Sequence, residues 1–139
     1  MSIHYFGAVN QVITTGHWIT DQVSLGLKSF GISEPQYNVL RILKGGKSKP
    51  LDIGSIQMKM IQRNSNVSRI VDKLVDKDLV ERKECSDNRR KMDVSLTQKG
   101  LDLLDELNSR VQEFHEPMIH RLTKEELISL QRLIKKLKG

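Results

Sequence analysis

A single cysteine, Cys85, stands in the 139 residues, so no internal disulfide forms and the chain suits a reducing compartment. No apolar run approaches 18 residues, which excludes a membrane-spanning helix. The first residues, MSIHYFGAVNQ, lack a basic segment followed by an apolar one, so the expectation is a cytoplasmic protein that is not secreted. Aromatic residues are scarce at 4%, and the many Leu, Ile and Lys point to a mostly helical chain. No nucleophile constellation and no glycine-rich phosphate loop occurs, so neither catalysis nor a cofactor is expected. The run His115-Glu116-Pro117-Met118-Ile119-His120 is similar to the zinc motif H-E-x-x-H but one residue too long. Its two imidazoles diverge by about 140° around a helix, which predicts solvent-facing histidines and no metal.

What the chain does have is localised positive charge. Residues 41–99 carry fifteen Lys/Arg against eight Asp/Glu, net +7, whereas residues 1–40 are at −1 and residues 100–139 at 0. An excess confined between two neutral ends points to a polyanionic partner. Hydrophobic residues at 37% and charged residues at 29% describe one folded domain, residues 1–139, large enough for a core.

Apolar periodicity and capping residues divide this domain. Val12, Gly16, Ile19, Val23, Leu27 and Phe30 share one face of a helix expected over 8–30, with Gly31 ending it. Gly16 on that face leaves room for another helix to approach. Ser33-Glu34-Pro35-Gln36 is a capping box opening a second helix, which buries Tyr37, Leu40, Ile42 and Leu43. The segment 44–50 reads as a loop. Asp52 caps a short helix carrying Ile53, Ile56 and Met60, and a fourth helix turns Val67, Ile70, Val71, Leu74 and Val75 inward. Two short helices around a tight turn, the second polar at its amino end, form a helix-turn-helix pattern. Segments 79–83 and 92–96 read as paired strands, with Ser86–Lys91 as a basic tip between them. A hairpin after a recognition helix is a wing. From Thr97 a helix is expected to run to about Arg121 with a kink at Pro117, and Thr123 restarts a last helix carrying Leu127, Leu130, Ile134 and Leu137.

Asp87-Asn88-Arg89, followed by Leu96-Thr97-Gln98-Lys99-Gly100, is similar to the wing signature of the MarR family. Members of this family (multiple antibiotic resistance regulators) are dimeric winged-helix transcription factors. The stretch SNVSRIVDKLVDKDLVER resembles the family's recognition helix and the start of its wing. The resemblance implies that Arg89 enters the minor groove, that Asp87 orients its guanidinium, and that Arg90 and Lys91 complete a basic wing tip. It also implies that Ser65, Asn66, Ser68, Arg69 and Lys73 face the major groove or its flanking phosphates. Asp78 departs from the family, which has glycine there, although Asp tolerates a left-handed backbone better than most residues. Cys85 does not match the position of the sensing thiol in oxidant-responsive relatives.

The expected fold is therefore mainly α with a small β-wing. A winged helix-turn-helix occupies 33–100, and the helices at 1–32 and 101–139 form a dimerisation domain. The terminal stripes offer more apolar surface than one small winged domain covers, so a homodimer is expected. The expected function is sequence-specific binding of double-stranded DNA as a ligand-responsive repressor at a palindromic operator. Two alternatives stay open: a winged-helix protein-interaction module with an acidic partner, and non-specific architectural DNA binding. The family implies a crevice for a small aromatic or phenolic effector, and His17, Trp18 and Tyr37 are its nearest candidates.

Overall fold

A computed structural model describes residues 1–46, 49–85 and 88–139, without the side chains of Cys85, Asn88, Arg89 and Arg90. Helix α1 spans Ile3–Lys28, five residues earlier than its apolar stripe predicts, because the Ser2 hydroxyl accepts a hydrogen bond from Tyr5 N at 3.1 Å. Gly31 ends it at φ +69°, with Ile32 N–H donating to Leu27 O and Gly31 N–H to Lys28 O. This is a Schellman stop sealed by the buried Leu27–Ile32 pair. The Ser33–Gln36 capping box forms in full and opens α2, Glu34–Gly45.

The strand β1, Leu51–Asp52, has no apolar alternation long enough to signal it in the sequence. Helix α3, Ile53–Lys59, starts where Asp52 accepts from Ser55 N at 2.7 Å. Helix α4, Val67–Asp76, is capped by Asn66, whose Oδ1 accepts from Arg69 N at 3.2 Å. It stops by the same Schellman device as α1. Leu79 N–H donates to Leu74 O, Asp78 N–H donates to Val75 O, and Asp78 sits at φ 61°. Asp therefore takes the left-handed position where glycine costs least.

Strands β2, Val80–Cys85, and β3, Asn88–Leu96, pair antiparallel, and β1 adds to the far side of β3, giving the order β1-β3-β2. Both wing strands outrun the expected 79–83 and 92–96. Backbone pairing continues past the last buried side chain, and a solvated ladder leaves no hydrophobic alternation to read. Helix α5, Gln98–His115, ends short of the expected Arg121 instead of kinking. Pro117 has no N–H to continue the ladder, and Met118 and Ile119 fold back onto His115 O. Helix α6, Lys124–Lys138, is capped by Thr123, which accepts from Glu126 N at 3.2 Å.

The core is drawn from residues 27–107. Leu27, Leu40, Leu43, Ile56, Leu74, Leu79, Leu104 and Leu107 are fully enclosed with Val39, Val67, Val71 and Val94. Helix α1 packs on α2 and α5, and α2 also touches α3, α4 and β3. Outside this core the chain is open. No residue of α6 is buried, Gly16 has nothing within 4 Å of where a Cβ would stand, and Phe6, Val12 and Ile13 are exposed.

Candidate nucleic-acid interface

Val67, Val71 and Leu74 anchor α4 in the core, so Ser68, Arg69, Asp72 and Lys73 project into solvent. Ser65 lies half-buried in the turn before the helix, and Asn66 is the cap itself. Its Oδ1 accepts from Arg69 N, which leaves Asn66 its side-chain NH₂ and the second lone pair of Oδ1 for another partner. Arg69 and Lys73 form no ion pair among the described residues, whereas Asp72 is taken up by Arg82 of β2. The Arg82–Asp72 pair braces the wing against the recognition helix and offsets one carboxylate on this face, while Asp76 in the last turn of α4 stays exposed. Sequence reading misses Arg82 because nothing local signals that β2 returns across α4.

The turn between α3 and α4 is held from two sides. Gln57 Nε2 donates to Arg63 O at 2.7 Å, and Ile61 N–H donates to Asn38 Oδ1 at 3.0 Å. At the other end of α4, Thr97 Oγ1 donates to Asp78 O at 2.6 Å and accepts from Gly100 N at 3.0 Å. Gly100 sits directly beneath Leu79 O, where an added Cβ would stand 2.1 Å away. The Leu-Thr-x-x-Gly part of the wing signature thus caps α5 and docks that cap on the end of the recognition helix.

Of the expected wing residues, Lys91 is exposed on β3, beside Asp52 of β1. The Asp52 carboxyl is held below its ordinary value, first by the Ser55 N–H and further by the charge of Lys91. Asp87 lies outside the described residues. Arg89 and Arg90 lie on the β3 backbone, with their side chains outside the description.

A crevice of about 160 Å³ opens between α1, α2, α5 and the turn after α3, lined in part by Tyr37, Arg41, Ile61, Val111 and His115. Tyr37 Oη donates to Asn108 Oδ1 at 2.6 Å, and Arg41 stands 5.7 Å from the ring centroid. Burial pushes the Tyr37 hydroxyl pKa up, opposed by the Arg41 charge, and burial also raises that of Glu34. Trp18 stands apart, 45% exposed and edge-to-face with Phe114 at 5.4 Å. His17 is exposed outside the crevice. The described residues contain no cluster of three metal-ligating side chains, and no helix is long and apolar enough to cross a membrane.

A sequence model of the MarR family matches residues 32–92, the span from the end of α1 into the wing. The HTH-type transcriptional regulator YdgG of Bacillus subtilis (strain 168) is 33% identical over 102 residues, 71% of this chain and 65% of that protein. The MarR transcription factor of Planctomyces limnophilus is 30% identical with a TM-score of 0.71, and the match covers 93% of both chains. This chain belongs to the MarR family. It is thereby placed among transcription regulators, not enzymes. The MarR fold is shared with the S. aureus MepR–DNA complex at 21% identity and a TM-score of 0.81, covering 99% of this chain and 96% of that one. The left-handed backbone of Asp78 is accommodated within a stop sealed by buried Leu74 and Leu79.

Proposed function

We propose that this chain is a homodimeric repressor that holds a palindromic operator with two copies of α4 and two wings. The observation that carries the reading is the exposed Arg69–Lys73 face of α4, braced to the wing by Arg82–Asp72, within the one stretch of net +7 charge. Ser65, Asn66, Ser68, Arg69 and Lys73 reach base edges and phosphates of the major groove, while Arg89 enters the minor groove, oriented by Asp87, with Arg90 and Lys91 completing the basic wing. MepR, which shares the fold, is known in complex with DNA.

The dimer rests on the apolar surface left outside the core. Leu127, Leu130, Leu133, Ile134 and Leu137 line one side of α6 and are exposed, as are Val12 and Ile13 of α1. Joining these stripes around a two-fold removes both from water and places the recognition helices about 34 Å apart, on successive major grooves. Repression follows because a bound dimer obstructs polymerase. The crevice beside Tyr37 and Arg41 accommodates a small aromatic or phenolic effector, which would alter how α2 supports the helix-turn-helix.

Selection of bound sequences from a random duplex pool tests the reading. An inverted repeat is the expected product. Enrichment without a motif would instead mean architectural DNA binding, and no enrichment would mean a protein-interaction module.

A further inference from the structure

The carboxy end of α4 is tied to a part of the chain that touches no DNA in the reading above. Lys77, half-buried in the cap after the helix, donates through its ammonium to Gly31 O and to Gln36 Oε1, the latter at 3.4 Å. Both acceptors belong to the corner where α1 stops and α2 starts. Gly31 occupies the left-handed position of the α1 stop, where the carbonyls left by the helix concentrate negative potential. Gln36 is the buried polar residue of the described core, and its Oε1 already accepts from Ser33 N at 3.1 Å. Lys77 supplies the second donor that this oxygen can take.

Backbone groups on either side of the same residue run the other way. Lys77 O accepts from Lys99 Nζ at 3.1 Å, and the neighbouring Asp78 O accepts from Thr97 Oγ1. Among the described residues, Lys77 alone hydrogen-bonds the end of α4 to the α1–α2 corner, since α1 packs on α2 and α5. No carboxylate pairs with its ammonium among the described residues.

We propose that Lys77 is a positioning residue: it fixes the angle of the recognition helix against α1 and thereby sets the half-site spacing that the dimer accepts. This rests on the dimer-and-palindrome reading. Helix α4 has ten residues, a length of about 15 Å. A pivot of roughly 5° about its tethered end displaces the amino end by about 1.3 Å, and two symmetric copies by up to about 2.6 Å, against roughly 3.4 Å per base pair. A change of angle of that size moves the two reading heads by about three-quarters of a base-pair step. Lysine suits the task because its flexible stem carries three donors to two carbonyl oxygens that lie on different elements.

The test uses the full chain with the inverted repeat recovered by selection, rebuilt with its half-sites one base pair closer and one further apart. For the parent, an off-spacing duplex binds about tenfold more weakly or worse, a penalty of the size of one mismatched base pair. Lys77→Met narrows that ratio to about threefold or less, and Lys77→Arg restores it. Lys77→Gln, which stays polar at this half-buried place, gives the same comparison should Lys77→Met not fold. The salt slope of binding is unchanged in all variants, because the ammonium neutralises no phosphate. A slope flattened by about 1.8, or about 0.9 for each subunit, would make Lys77 a phosphate contact and overturn the proposal. So would a Lys77→Met variant that keeps the parent's spacing ratio, with the dimer reading left standing. A parent indifferent to spacing overturns both.

Discussion

A methyl group at Gly100 tests the joint between α4, the wing and α5. Its Cβ would stand 2.1 Å from Leu79 O and 3.0 Å from Leu79 C, so two backbone segments must separate by more than an ångström. Neither can give freely. Leu79 is buried, its N–H closes the α4 stop on Leu74 O, and its own carbonyl accepts from Thr97 N at 3.1 Å. Overpacking against fixed backbone costs about 3 kcal/mol or more, and the better helix propensity of alanine returns at most about 1. The expected net loss is about 2–3 kcal/mol, a large share of the 5–15 kcal/mol typical of a domain. For a chain of this size that lowers the melting temperature by roughly 6–12 °C. Urea unfolding of Gly100→Ala and the parent at one protein concentration measures it, with Gly45→Ala, which meets nothing within 4 Å, as the control. A Gly100→Ala midpoint equivalent to less than about 0.5 kcal/mol from the parent refutes the close approach of α5 to Leu79.

Asp78→Gly relieves the left-handed residue and should stabilise the chain by about 0.5–1 kcal/mol in the same unfolding assay, and a loss would mean that the Asp side chain contributes more than its backbone costs. Arg89→Ala should weaken operator binding substantially in anisotropy titrations, and an affinity within about twofold of the parent would remove the wing from the interface. Asp52 has a depressed carboxyl pKa, so its contribution is present above the unfolded value and lost as pH falls through the folded one. Asp52→Asn, which keeps a cap but does not titrate, should differ from the parent by a constant amount at neutral pH and converge with it below about pH 4. Ile134→Glu places a charge in the α6 stripe and should shift the chain toward monomer in sedimentation, whereas an unchanged dimer would place the interface elsewhere.

Much of the candidate interface is legible in the sequence, because the inward and outward faces of a short amphipathic helix follow from residue spacing alone. Ser68, Arg69 and Lys73 are exposed on α4 as that spacing requires. Spacing does not show that exposed Asn66 is also the helix cap, since a cap differs from a first-turn residue only in backbone angle. Pro117 predicts a kink by its missing N–H, whereas the helix stops at His115. One missing N–H permits either result, and the packing beyond it decides.

The sequence by itself determined what depends on residues a few positions apart: the caps at Ser33, Asp52 and Thr123, the glycine stop at Gly31, the apolar stripes, and the confinement of charge to 41–99. Each is a local contest between backbone groups, nearby side chains and water. Only the tertiary structure decided the Arg82–Asp72 brace, the reach of Lys77 to Gly31 and Gln36, the seat of Gly100 under Leu79, and the pairing of β1 with β3. Those contacts join residues brought together by the closing of the whole core, and their partners carry no mark in the sequence until the helices have packed.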